Sequence, residues 1–182
     1  KLKFNNLFNI SKKNPSLRIL HITNFNERHD GRLFFNTGRR LNNGFIRLGH
    51  SILEFSDRDI QKYYKSYRDI TGSKTLNEKL KKTCYNFKPD VMVLGHADLI
   101  SPQTLGELKD DYPSLKIAQW FLDPLNKQGP DYLRNKERIL DKSDFIESNF
   151  LTTSPEVLDF LPKNQNGKIN RKLLSIEYFD EK

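Results

Sequence analysis

Apolar residues along this chain repeat in two alternating rhythms. Residues 17–23, LRILHIT, make a short, branched, mostly apolar run that fits a strand buried on both faces. From residue 33 to 48 the spacing turns helical. At about 100° per residue, Leu41, Phe45 and Leu48 share one side, and Arg32, Arg39, Arg40 and Arg47 cluster on another. Gly49 supplies a stop, and HSILEF (50–55) reads as a second strand, which completes a strand–helix–strand unit. The charged and aromatic stretch 56–73 fits a long connection or a surface helix.

The alternation then resumes. Leu76, Leu80, Cys84 and Phe87 space a helix from about residue 75 that must end before Lys88-Pro89. DVMVLG (90–95) is a third strand, and Ser101-Pro102 caps and opens a helix to Asp111. Residues 115–123 form a fourth strand, 129–141 a helix and 145–153 a fifth strand. Ser154-Pro155 opens a further short helix, and KLLSIEYF (172–179) predicts a last strand. Residues 1–16 lack periodicity and read as an arm. The pattern predicts an α/β, doubly wound, Rossmann-like domain over 17–182, its sheet mostly parallel with helices on both faces. Ligands of such sheets sit outside the carboxyl ends of the strands. The segments to search are therefore 24–32, 95–101, 123–129 and 152–155.

At 182 residues the chain has the size of one domain. With 36% hydrophobic and 12% aromatic residues it is too apolar for disorder. No apolar run approaches the roughly 20 residues of a membrane span. Cys84 is the only cysteine, which excludes an intrachain disulfide and a thiolate metal cluster. With no apolar signal-peptide run at the start, these features favour a cytoplasmic protein. The net charge of +8 is local: residues 1–50 carry ten lysines and arginines against two acids, and the rest carry twenty-one of each. That distribution disfavours nucleic acid as a partner. The arginine face reads most simply as solvated; the sharper alternative is peripheral contact with an anionic membrane.

Neither G-x-G-x-x-G nor a P-loop follows the first strand. Instead NFNERHDGR (24–32) brings together Asn24, Asn26, Arg28, His29, Asp30, Gly31 and Arg32. His29 could take a proton from a hydroxyl nucleophile, with Asp123, in WFLDP, holding its tautomer. The plainer alternative makes His29 an exposed loop residue and Asp30 a helix cap. His96 and Asp98, in GHADLISP, stand at the same predicted edge as ligand contacts or as ordinary strand-end residues. Histidine spacing gives no metal motif.

Three blocks, LRILHIT through GRLFFNTGRRLNNGFIRLGHSILEFSDRDI, KPDVMVLGHADLISPQTLGELKDDYPSLKIAQWFLDPL and DFIESNFLTTSPEVLDFL, resemble the N-terminal half of a GT-B glycosyltransferase. Within that fold the resemblance is to the CgeB-like, family 4-like group, over about residues 17–162. It implies an acceptor-side domain of an enzyme that transfers sugar from a nucleotide-sugar co-substrate to a hydroxyl-bearing acceptor: a glycan, a lipid-linked group or a protein. It implies no metal and no tightly bound cofactor. The C-terminal donor-binding domain would come in trans or from elsewhere, and the chain alone would be inactive. His29 and Asp123 match the base and its orienting aspartate in inverting relatives; Asn24, Asn26, Arg28, Asp30, Gly31, Arg32, His96 and Asp98 would contact the acceptor. Retaining relatives carry a histidine where this chain has residues 120–123. The rival readings are a non-catalytic Rossmann-like binding module and a binder of nucleic acid or anionic surfaces through the basic face of Arg32, Arg39, Arg40 and Arg47.

Overall fold

The computed structural model describes residues 15–154, 158 and 160. Its elements run β1 (Arg18–Thr23), α1 (Thr37–Arg47), β2 (Ser51–Ser56), α2 (Asp57–Tyr63), α3 (Ser73–Phe87), β3 (Val91–Gly95), α4 (Pro102–Asp111), β4 (Lys116–Phe121), α5 (Tyr132–Leu140) and β5 (Ser148–Leu151). The five strands form one wholly parallel sheet in the order β2-β1-β3-β4-β5. This is the doubly wound, Rossmann-like architecture that the alternation predicts. Strand order reverses between β1 and β3, which opens a crevice at their carboxyl ends.

Strand parity divides the core. Leu20 and Ile22 of β1, with Met92 and Leu94 of β3, meet Leu76, Leu80 and Cys84 of α3 and Leu105 and Leu108 of α4. Phe121 of β4 meets Ile139 of α5. On the opposite parity Ile19, Val93 and Trp120 pack with Leu41 and Phe45 of α1. Burial pushes the Cys84 thiol up to about 12, so it behaves as a core hydrophobe.

One polar chain crosses the α1 face. His21, fully buried in β1, accepts the indole N–H of Trp120 on Nε2 at 3.0 Å. An indole nitrogen only donates, so the hydrogen-bond network assigns the imidazole proton to Nδ1, which donates to Asn42 Oδ1 of α1. Asn42 Nδ2 then donates to Glu54 Oε1 of β2 at 2.7 Å, and Arg39 pairs with Glu54 at 3.1 Å. Trp120 reaches from β4 across β3 only because residue 95 is glycine: a Cβ there would stand 2.2 Å from Trp120 Cζ2.

Three expectations change. The first helix starts at Thr37 rather than residue 33, because extended Asn36 accepts the Arg39 N–H at 2.9 Å and caps it. Arg32 is therefore outside the helix and Leu33, Phe34 and Phe35 precede it. Arg39 is also spent on Glu54, which breaks up the arginine face. Leu48 is the helix's C-cap residue and is exposed rather than packed on the sheet. Second, residues 56–73 contain α2 and a turn in which Asp69 accepts the Gly72 and Thr75 N–H groups, which starts α3 at Ser73. Third, β5 is shorter than 145–153, since residues 143–145 form a 3-10 turn, and α5 begins at Tyr132. The helix expected after Pro155, the strand 172–179 and most of the N-terminal arm lie outside the described residues. No helix among the described residues is long and apolar enough to cross a membrane.

Replacing Gly95 by alanine should displace Trp120 and break its bond to His21, costing about 1–3 kcal/mol. Urea unfolding of Gly95→Ala beside the unchanged chain measures it.

Candidate functional site

A cleft of about 330 Å³ opens at the carboxyl ends of four strands. Thr23 and Asn24 reach it from β1, Asp57 and Arg58 from beyond β2, Gly95, His96 and Asp98 from β3, and Trp120, Leu122 and Asp123 from β4. The first turn of α1, at Thr37 and Gly38, and Arg138 of α5 close the rim. The parallel sheet puts these strand ends on one edge, and the capped start of α1 is held close by Gly38, where a Cβ would meet Thr23 Cγ2 at 2.6 Å.

The turn after β3 puts two consecutive non-glycine residues in the left-handed region. His96 and Ala97 have φ of +61° and +39°, a region that non-glycine residues rarely enter. Two contacts hold them there. The Ala97 N–H reaches Gly95 O at 2.7 Å, and the buried Lys142 ammonium donates to Ala97 O at 2.7 Å. Burial lowers the Lys142 pKa, while Asp141, Asp98 and Asp57 oppose the shift.

The turn presents His96 with Nδ1 3.6 Å from Asp123 Oδ2, its ring packed 4.6 Å from Phe121 and 5.6 Å from Trp120. Burial depresses the His96 pKa; the Asp123 charge pushes the other way without overcoming it. The imidazole is thus neutral near pH 7 and can accept a proton, with a carboxylate beside it to stabilise the cation that forms. Next to it Asp98 binds Arg58 at 3.2 Å and Arg138 at 3.0 Å. Burial raises the Asp98 pKa, but the two guanidinium groups outweigh that and hold it below the usual carboxylate range. The two guanidinium groups thus share one carboxylate, and Arg138 also stands 4.0 Å from Asp123.

Asp57 is the least satisfied group here. It is 1% exposed, its Oδ1 has no hydrogen-bond partner, and burial pushes its pKa up to about 6 against the Arg58 backbone N–H and side-chain charge. A buried carboxyl with a free oxygen on a cleft wall is suited to receive a hydroxyl donor.

Of the residues singled out from sequence, Asn24, His96, Asp98 and Asp123 line the cleft. Asn26, Arg28, His29, Asp30, Gly31 and Arg32 are not among its lining residues. The 24–32 segment is instead bound to α2: the buried Asp59 accepts the Glu27 N–H at 2.8 Å, and Arg28 lies 3.8 Å from Asp59. His29 Nε2 accepts a bond from Arg28 Nε at 3.3 Å. The histidine that Asp123 meets is His96. Strand order is the reason, since β4 neighbours β3 and not β1. Asp57, Arg58 and Arg138 are additions. Asp57 and Arg58 had a legible signal, SDRD directly after the second strand, while Arg138 is one helix position among many. Among the described residues no group of three His, Cys, Asp or Glu side chains is arranged to hold a metal ion. The chain matches no protein-family model and none of the curated proteins.

Because the folded-state pKa of Asp57 is raised, burying its charge weakens the fold as pH rises through about 6. Asp57→Asn should therefore stabilise the chain by about 1–3 kcal/mol at pH 7.5. The gain should shrink toward pH 4.5, below the raised value. Urea midpoints at the two pH values test this.

Proposed function

We propose that this chain is the acceptor-side domain of a GT-B glycosyltransferase similar to the CgeB-like group, binding a hydroxyl-bearing acceptor in the strand-end cleft. The observation that carries the reading is the pair of His96 and Asp123 at the ends of β3 and β4, in the cleft beside the point where strand order reverses. Glycosyl transfer needs a base that is neutral at working pH and close to the attacking hydroxyl. His96 has a depressed pKa and faces the cleft's lining groups. In this reading His96 takes the hydroxyl proton and Asp123 stabilises the resulting imidazolium, while the free Oδ1 of Asp57 accepts a second hydroxyl and fixes the ring. His96 thereby replaces His29 as the base. The nucleotide-sugar is held by a second Rossmann-like unit, where dipoles and cations stabilise the leaving phosphate.

Titrating the chain with a panel of methyl glycosides, and separately with UDP, UDP-glucose and GDP-mannose, tests the proposal by NMR. Saccharides should shift the His96 and Asp123 signals, and His96→Ala should abolish binding, with free nucleotides binding only in the millimolar range. Micromolar binding of a nucleotide, or no saccharide response, contradicts it.

A further inference from the structure

The segment between the 3-10 turn Glu27–His29 and α1 exposes three consecutive apolar side chains: Leu33 at 41%, Phe34 at 48% and Phe35 at 85%. Such a run on a folded surface weakens solubility and calls for a contact that covers it. The loop is not slack. Phe34 packs edge to face on Phe35 at 5.3 Å, and the Arg39 guanidinium, anchored on Glu54, lies 5.0 Å from the Phe34 ring and 5.4 Å from the Phe25 ring. Asn36 Nδ2 donates to Leu33 O at 3.1 Å. The aromatic tip is thus held out by the same helix cap that shortens α1.

Charge identifies what covers it. Arg32 precedes the tip, Arg40 follows it on the first turn of α1, and both are exposed with no ion pair among the described residues. They belong to the opening segment that carries the whole net excess of charge. The other arginines nearby are committed: Arg39 to Glu54, Arg28 to Asp59.

We infer that the tip formed by Leu33, Phe34 and Phe35 docks on an anionic membrane surface, the phenylalanines entering the headgroup boundary and Arg32 and Arg40 meeting lipid phosphates. An exposed aromatic tip flanked by cations has the amphipathic chemistry of that boundary. A protein partner would more commonly cover a broad patch with an apolar centre and a polar rim. The inference moves membrane contact from the arginine face of the helix to the loop before it. The loop leads straight into Asn36, Thr37 and Gly38 of the cleft rim, so docking brings the cleft mouth to the bilayer. None of this depends on the reaction proposed above.

Co-sedimentation of the chain with vesicles of phosphatidylcholine alone, and with equal parts phosphatidylglycerol, tests it at low and physiological salt. The chain should pellet with the anionic vesicles, less so as salt rises. Arg32→Gln and Arg40→Gln should each lower partitioning about fivefold. Phe35→Ser should lower it about tenfold or more, with an unchanged circular dichroism spectrum because the side chain is exposed. Phe35→Trp adds a reporter whose emission should shift to the blue on anionic vesicles, while buried Trp120 stays constant. The inference is overturned by equal partitioning of Phe35→Ser, by an unmoved Phe35→Trp emission, or by absent binding to anionic vesicles. A loop that mediates self-association instead, seen as a dimer lost in Phe35→Ser without any vesicle effect, overturns it equally.

Discussion

The buried bond from the Trp120 indole to His21 ties together three of the five strands. Trp120 belongs to β4 and His21 to β1, so the ring must pass over β3, and the glycine that ends β3 makes room for it. From His21 the chain of donors continues through Asn42 and Glu54 to Arg39, fixing α1 against β1 and β2. Each side chain along it is bonded to the next, although the buried Arg39 Nε has no hydrogen-bond partner. In a low-dielectric interior a connected network of this kind specifies one arrangement, and a broken one destabilises the core. It holds only if His21 stays neutral, which its burial favours by lowering its pKa.

The cleft rests on that floor. Trp120 packs under His96, and the strained turn at His96 and Ala97 is held from the far side by the Lys142 ammonium. The charges around the cleft are arranged unevenly. Asp98 is fully engaged by two arginines, whereas Asp57 has an oxygen with no partner and Asp123 sits at the imidazole without a close hydrogen bond. Groups left open amid groups that are closed mark where a ligand would complete the network. Backbone strain and an unpartnered buried carboxyl both cost stability and fall on the same edge of the sheet, where the doubly wound order leaves its crevice.

Much of this was legible in the sequence, for physical reasons. Parallel strands buried on both faces are continuous apolar runs, and LRILHIT and DVMVLG show them plainly. Serine before proline announced α4, whose cap forms as the residues require. The start of α1 was obscured because Leu33, Phe34 and Phe35 continue a helical spacing, while the Asn36 side chain ends the helix locally. The edge of the site was predictable, but its pairings were not. His29 and His96 both follow strands, and only the lateral order of those strands decides which meets Asp123. Asp57 and Arg58 follow the second strand directly in SDRD, a placement that reading residues 56–73 as a surface connection passes over.

A long-range proton–nitrogen NMR spectrum of the histidine rings, followed from pH 8 down to 5.5, tests the account most directly. His21 should remain neutral with its proton on Nδ1 throughout, because Trp120 occupies Nε2 and burial depresses its pKa. His96 should be neutral at pH 7 and titrate below the ordinary value of 6.5. A His21 ring that carries its proton on Nε2, or that becomes doubly protonated within this range, would remove the network on which the cleft is built.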